Sequence, residues 1–189
     1  MRKIFINFDS AITFLLFFLF LILFNMLFFK LTIDDISFSG GKMLGKWLTD
    51  QTVNIVDSVG DWKEAIQICA KPLLENNAIS QNYVEAIFQL HESIGPYYVL
   101  APGIAMPHAR PEQGVNQLGL SMLLVKQGVK FNSTENDPVY LITLLAASDS
   151  TSHIEMLTQL AELFSESNDM QTIFNAQNSD QILAVINRY

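Results

Sequence analysis

Positive charge and cysteine are what this sequence has least of. The 189 residues carry 11 Lys+Arg against 19 Asp+Glu, a formal net charge of −8, and the arginines are only Arg2, Arg110 and Arg188. A chain so short of cations has none to spare for neutralising a phosphate backbone, which excludes nucleic acid as an expected partner. The one cysteine, Cys69, rules out a disulfide framework within the chain and fits a reducing compartment. Also missing are G-x-x-x-x-G-K-[ST], G-x-G-x-x-G and G-x-S-x-G, and no Cys/His pair has the spacing of zinc ligands. No phosphate-binding glycine loop, nucleophile elbow or metal site is therefore expected.

What the chain has in excess is apolar residues, 50% of the total with 14 Phe, and they are unevenly spread. Ala11 to Phe29 is an apolar run broken only by Thr13 and Asn25, just long enough to cross a bilayer as a helix. Arg2 and Lys3 precede it and Lys30 follows, and no small-x-small cleavage site comes after it. Residues 1–42 thus read as a membrane anchor. A second reading concerns the gene: Phe-rich runs are what T-rich DNA encodes, and Gly40-Gly41-Lys42-Met43 can be encoded by a ribosome-binding sequence followed by a start codon. On that reading translation begins at Met43 and residues 1–42 are an over-extended frame. Residues 43–189 hold 7 Lys+Arg against 16 Asp+Glu and have the apolar content of an ordinary globular domain.

No repeat or Pro/Gly-rich linker divides residues 43–189, which read as one domain. Val53 to Val56 alternates like a strand, and Asp61 to Glu75 places Trp62, Ala65, Ile66, Cys69 and Leu73 at helical spacing. Ser80 caps a second helix, with Val84, Ile87, Phe88 and His91 on its apolar side, broken at Ile94-Gly95-Pro96. Tyr97 to Leu100 reads as a strand. Leu118 to Val125 and Val139 to Ala147 are apolar, β-rich runs of the kind covered on both faces. Helices are expected over Ser152 to Ser165, around Asp169 to Asn175 and over Gln181 to Arg188. The pattern is that of an α/β layered domain, a small sheet flanked by helices, with strand order left open.

Two histidines carry the chemical interest. His108 lies in Gly103-Ile104-Ala105-Met106-Pro107-His108-Ala109-Arg110-Pro111-Glu112, between prolines that fix φ and remove N–H donors. Such a segment is stiff, resists joining a sheet interior and suits holding an imidazole at a cleft edge. Arg110 stands two residues on. Ser152-x-x-Glu155 has the capping-box form and places His153 at the first helical position, where the helix dipole disfavours imidazolium and free N–H groups offer an anion site. A neutral imidazole beside such a helix start suits phosphoryl transfer, because the attacking nitrogen needs a lone pair and the phosphoryl oxygens need fixed donors. His153 also shares a helical face with Leu157, Leu160 and Phe164, which equally fits a core-edge histidine. His91 and Cys69 read as core. A metal-dependent hydrolase using His91, His108 and His153 is a further alternative, one that predicts chelator-sensitive activity.

Residues 43–189 resemble the enzyme IIA domain of the mannitol/fructose class in the bacterial phosphoenolpyruvate-dependent sugar phosphotransferase system. The resemblance rests on Gly103 to Arg110 and on Ser152-His153-Ile154-Glu155-Met156-Leu157, 45 residues after the first motif. The lead-in Gly95-Pro96-Tyr97-Tyr98-Val99-Leu100-Ala101-Pro102 and the exit Arg110-Pro111-Glu112 look most like the ascorbate-type branch. The resemblance implies a mixed sheet flanked by helices, a cytoplasmic location and no metal or organic cofactor. It implies that His108 accepts a phosphoryl group from the histidine-carrier protein HPr and passes it to a cysteine of a cognate enzyme IIB. Through IIB the domain would serve a membrane IIC component and the uptake of a sugar or sugar acid, ascorbate by the motif. His153 would help hold the phosphoryl oxygens. Mannitol-type members carry an Arg-Glu pair upstream of the acceptor; here His91-Glu92 stands nearest, so His91, Arg110 and Ser152 become the candidate phosphate-binding residues. A regulatory sensor built on the same fold is the alternative role.

Overall fold

The computed structural model describes residues 44–147 and 150–189, with the side chains of residues 150–153 and 155 outside that description. The chain divides between Gly40 and Gly41, and every element below belongs to the unit that begins at Gly41. The two readings of residues 1–42 lie outside the described residues. In chain order the elements are α1 (Leu44–Trp47), β1 (Val53–Val56), α2 (Trp62–Glu75), α3 (Gln81–Ile94), β2 (Val99–Ala101), β3 (Ile104–Ala105), a 3-10 turn (Pro111–Gln113), β4 (Gly119–Val129), β5 (Val139–Ala146), α4 (Ser150–Ser165), α5 (Ser167–Phe174) and α6 (Ser179–Ile186).

Local chemistry accounts for the boundaries. Asp61 caps α2 by accepting the Glu64 N–H at 2.9 Å, and Asn178 caps α6 by accepting the Gln181 N–H at 3.1 Å. Gly95 ends α3 at φ 84°, a conformation that L side chains avoid. The β2–β3 hairpin turns on Pro102-Gly103, where Gly103 has φ 83° as the third position of a type II turn requires. Helix α4 departs from expectation: it begins at Ser150, so Ser152 is not its N-cap and His153 lies inside the first turn rather than at its first position.

The five strands form one mixed sheet in the order β1-β4-β5-β3-β2. β1 runs parallel to β4, β4 antiparallel to β5, β5 parallel to β3, and β3 antiparallel to β2. In β4 every residue from Gly119 to Val125 is buried, with Leu123 and Val125 facing one way and Leu120, Met122 and Leu124 the other. The first face packs on α2 and α3; the second is covered by α1, α4, α5 and α6. A sheet buried on both sides needs this alternation of apolar with apolar. Cys69 sits in the first layer at 1% exposure with its Sγ 3.6 Å from the Ser121 hydroxyl, and burial raises the thiol to about 11. Among the described residues no helix is long and apolar enough to cross a membrane.

One consequence of the strand order matters for the site. Because β3 and β5 are parallel neighbours, they leave the sheet at the same edge. The His108 segment follows β3, and α4 follows β5. Two stretches 45 residues apart in sequence therefore meet the same side of the molecule through backbone topology alone.

Candidate functional site

The site is built on β3, the shortest strand. Ile104 and Ala105 pair with Leu141 and Ile142 of β5, so the sheet interior reaches to within three residues of His108. The ladder stops where Pro107 removes an N–H donor, as the proline flanks led one to expect. Beyond it the chain stays anchored: Met106 N–H donates to the Tyr98 carbonyl at 2.8 Å, and Leu145 N–H donates to the Pro107 carbonyl at 3.2 Å. The 3-10 turn then carries the chain away, with Gln113 Oε1 accepting the Arg110 N–H at 3.0 Å.

His108 is half-buried, and its Nδ1 lies 2.8 Å from the Met106 carbonyl oxygen. A carbonyl can only accept, so Nδ1 carries the proton and Nε2 keeps a lone pair. Burial pushes the imidazole below its ordinary 6.5, and the Met106 carbonyl opposes that in part. The ring is therefore neutral at neutral pH. Tyr97 meets it edge to face with centroids 5.5 Å apart and donates its hydroxyl to the His108 carbonyl.

The other candidates fall in different places. Arg110 is exposed, and among the described residues its guanidinium is in no ion pair. His91 is in the core at 6% exposure. Trp62 stacks on it with centroids 3.8 Å apart and an angle of 13°, and its Nδ1 lies 2.7 Å from the Tyr98 hydroxyl. Burial lowers this imidazole too, with Glu92 raising and Lys63 lowering it to a smaller extent. The structure thus places His91 in the core under an aromatic lid, away from the exposed Arg110. The backbones of Ser152 and His153 lie in the first turn of α4 at the same sheet edge as His108; their side chains lie outside the described residues. Tyr83, Tyr97 and Tyr98 border the His108 segment and were not among the expected site residues, since a tyrosine in such a stretch forms no chemical motif. A signal was available: a buried tyrosine hydroxyl needs a partner, and these find theirs on the histidine-bearing backbone or on His91.

Fold and site together define a class: a three-layer α/β/α domain that mounts a neutral imidazole at the sheet edge where β3 and β5 end. Residues 46–189 match the family described as phosphoenolpyruvate-dependent sugar phosphotransferase system, EIIA 2, and the chain belongs to that family. Over 145 residues it is 39% identical to the mannitol-specific cryptic phosphotransferase enzyme IIA component of Escherichia coli, covering 77% of this chain and 98% of that one. It is 32% identical over 148 residues to the ascorbate-specific PTS system EIIA component of Escherichia coli, covering 78% and 96% respectively. The solution structure of the mannitol-specific cryptic enzyme IIA from Escherichia coli superposes with a TM-score of 0.72 at 38% identity, over 77% of this chain and 99% of that one. The mixed sheet flanked by helices is the fold that the sequence resemblance implied. The protein is an enzyme IIA component of the sugar phosphotransferase system.

Proposed function

We propose that His108 is the phosphoryl acceptor and that Nε2 is the accepting atom. The observation that carries this is the Nδ1 hydrogen bond to the Met106 carbonyl at 2.8 Å, which fixes the tautomer and leaves Nε2 as the free nucleophile. In the first step the P–N bond of phosphorylated HPr breaks as a bond forms between phosphorus and His108 Nε2. The proton on Nδ1 stays where it is, and the Met106 carbonyl dipole stabilises the positive charge that develops on the ring. In the second step a cysteine thiolate of the cognate IIB attacks phosphorus and His108 leaves as the neutral imidazole. No water enters, so the transfer potential passes on without hydrolysis, and neither metal nor organic cofactor takes part.

The phosphoryl oxygens need donors. The exposed guanidinium of Arg110, Ser152 and His153 on the first turn of α4, and the N–H groups of that turn are the candidates at this edge. The protein works in the cytoplasm as the IIA component feeding a membrane IIC through IIB. The Gly95–Pro102 lead-in supports a sugar acid, ascorbate, as the transported substrate, while the relative of higher identity is named for mannitol; uptake assays with both substrates in a strain lacking this chain separate the two. The acceptor is tested by labelling with phospho-HPr. Wild type takes the label and His108→Ala does not. Persistent labelling of that variant overturns the assignment.

A further inference from the structure

Resting on the reading of His108 as acceptor, the geometry points to Tyr83 and Tyr97 as positioning residues that hold the His108–Ala109 peptide, and through it the imidazole, in reactive orientation. The peptide is gripped at both polar ends. Tyr97, in the turn between α3 and β2, donates its hydroxyl to the His108 carbonyl. Tyr83, in the first turn of α3, accepts the Ala109 N–H at 3.0 Å. The Tyr83 hydroxyl donates to the Leu145 carbonyl of β5 at 2.7 Å, with the Ala109 carbonyl 3.3 Å away. Leu145 in turn donates its N–H to the Pro107 carbonyl. The sheet, the helix and the histidine segment thus close a ring of hydrogen bonds around one peptide plane.

Each hydroxyl has one proton and uses it, and neither position tolerates loss of the oxygen without orphaning a backbone group. Phe at 83 strands the Ala109 N–H and the Leu145 carbonyl; Phe at 97 strands the His108 carbonyl. Tyr83 is 1% exposed, and burial raises both hydroxyls to about 12, so they stay protonated. Gly114 at the end of the 3-10 turn lets α3 approach: a Cβ there would lie 2.2 Å from the Ser80 hydroxyl and 3.1 Å from the Tyr83 nitrogen. The effect on chemistry follows from leverage. Freeing the peptide releases ψ of His108 and φ of Ala109, lets the segment shift Nε2 and loosen Nδ1 from Met106, and a misplacement of about 1 Å lowers rates on the order of 10²-fold.

The experiment uses the full chain with Tyr83→Phe, Tyr97→Phe and the double substitution. Phosphorylation by phospho-HPr is followed to give KM and kcat, and the His108 imidazole 15N shifts are recorded without donor. Each single variant is expected to lose about 10-fold in kcat and the double variant about 100-fold, at unchanged KM. The imidazole spectrum shifts from pure Nδ1–H in wild type to a mixture of tautomers in the double variant. Unchanged kcat and unchanged tautomer in the folded Phe variants overturn the inference, as does a rise in KM alone, which would make the tyrosines part of the donor's footprint. Should Tyr83→Phe fail to fold, the half-buried Tyr97→Phe decides alone. A wild type that takes no label overturns the acceptor reading instead, and the donor-free spectrum still shows whether the two hydroxyls hold the ring.

Discussion

His91 and His108 are both held by an oxygen at Nδ1 and both pushed to lower pKa by burial, yet they are opposite in kind. The Met106 carbonyl can only accept, so it dictates which nitrogen of His108 is bare. The Tyr98 hydroxyl can accept or donate, so it dictates nothing about His91. His91 is roofed by Trp62 and 6% exposed, while His108 is half-buried on a proline-stiffened segment beyond the end of a strand. Burial alone therefore does not distinguish the two; an acceptor-only partner at one nitrogen and access at the other do. Tyr98 serves both regions by separate atoms, its hydroxyl on His91 and its backbone carbonyl on the Met106 N–H.

That contrast can be broken in graded ways. The largest effect is expected on activity: His108→Ala ends phosphoryl acceptance altogether but moves the unfolding midpoint little, whereas His91→Ala keeps acceptance within a few-fold. His91→Ala should instead lose roughly 2–4 kcal/mol in denaturant unfolding, from the void beneath Trp62 and the unpaired Tyr98 hydroxyl. If His91→Ala abolishes labelling while staying folded, His91 belongs to the site after all. Next comes pH. Both folded-state values lie below 6.5, so the unfolded chain binds more protons in acid, and stability falls as pH drops below 6.5 until the folded imidazoles also titrate. Above 6.5 the slope fades and is lost by about pH 8, where the unfolded imidazoles too are deprotonated. A urea series across pH 5 to 8 checks this, and His91→Ala should flatten the acid limb. The smallest effect is expected from Tyr98→Phe, about 1 kcal/mol from the lost His91 bond, with His108 phosphorylation unchanged because the backbone carbonyl remains.

Much of the frame was legible because it depends on local pattern. Asp61 and Ser80 opened helices where their spacing to the apolar stripe required, and the doubly apolar runs of β4 and β5 became strands covered on both sides. β3 was not legible: two residues carry no period, and Ile104-Ala105 becomes a strand only because β5 lies beside it. Strand order was closed to local reasoning for the same cause, since it is set by pairing between distant segments. At the site, the prolines around His108 mark a segment outside the sheet, which ends at Ala105. The capping-box form at Ser152 misplaces the start of α4, since the helix begins at Ser150. His91 drew attention as the neighbour of Glu92, but its apolar helical face was the better guide to its place under Trp62.

Pro107 and Pro111 have their φ angles set before the chain folds, and the tyrosine grip removes most of the freedom that remains between them. The ordering entropy of the His108 segment is thus surrendered on folding and not at each encounter with a partner. A phosphoryl donor meeting such a segment has little conformational disorder to suppress. The temperature dependence of transfer should therefore be carried almost wholly by activation enthalpy, with an activation entropy close to that of rigid-body association.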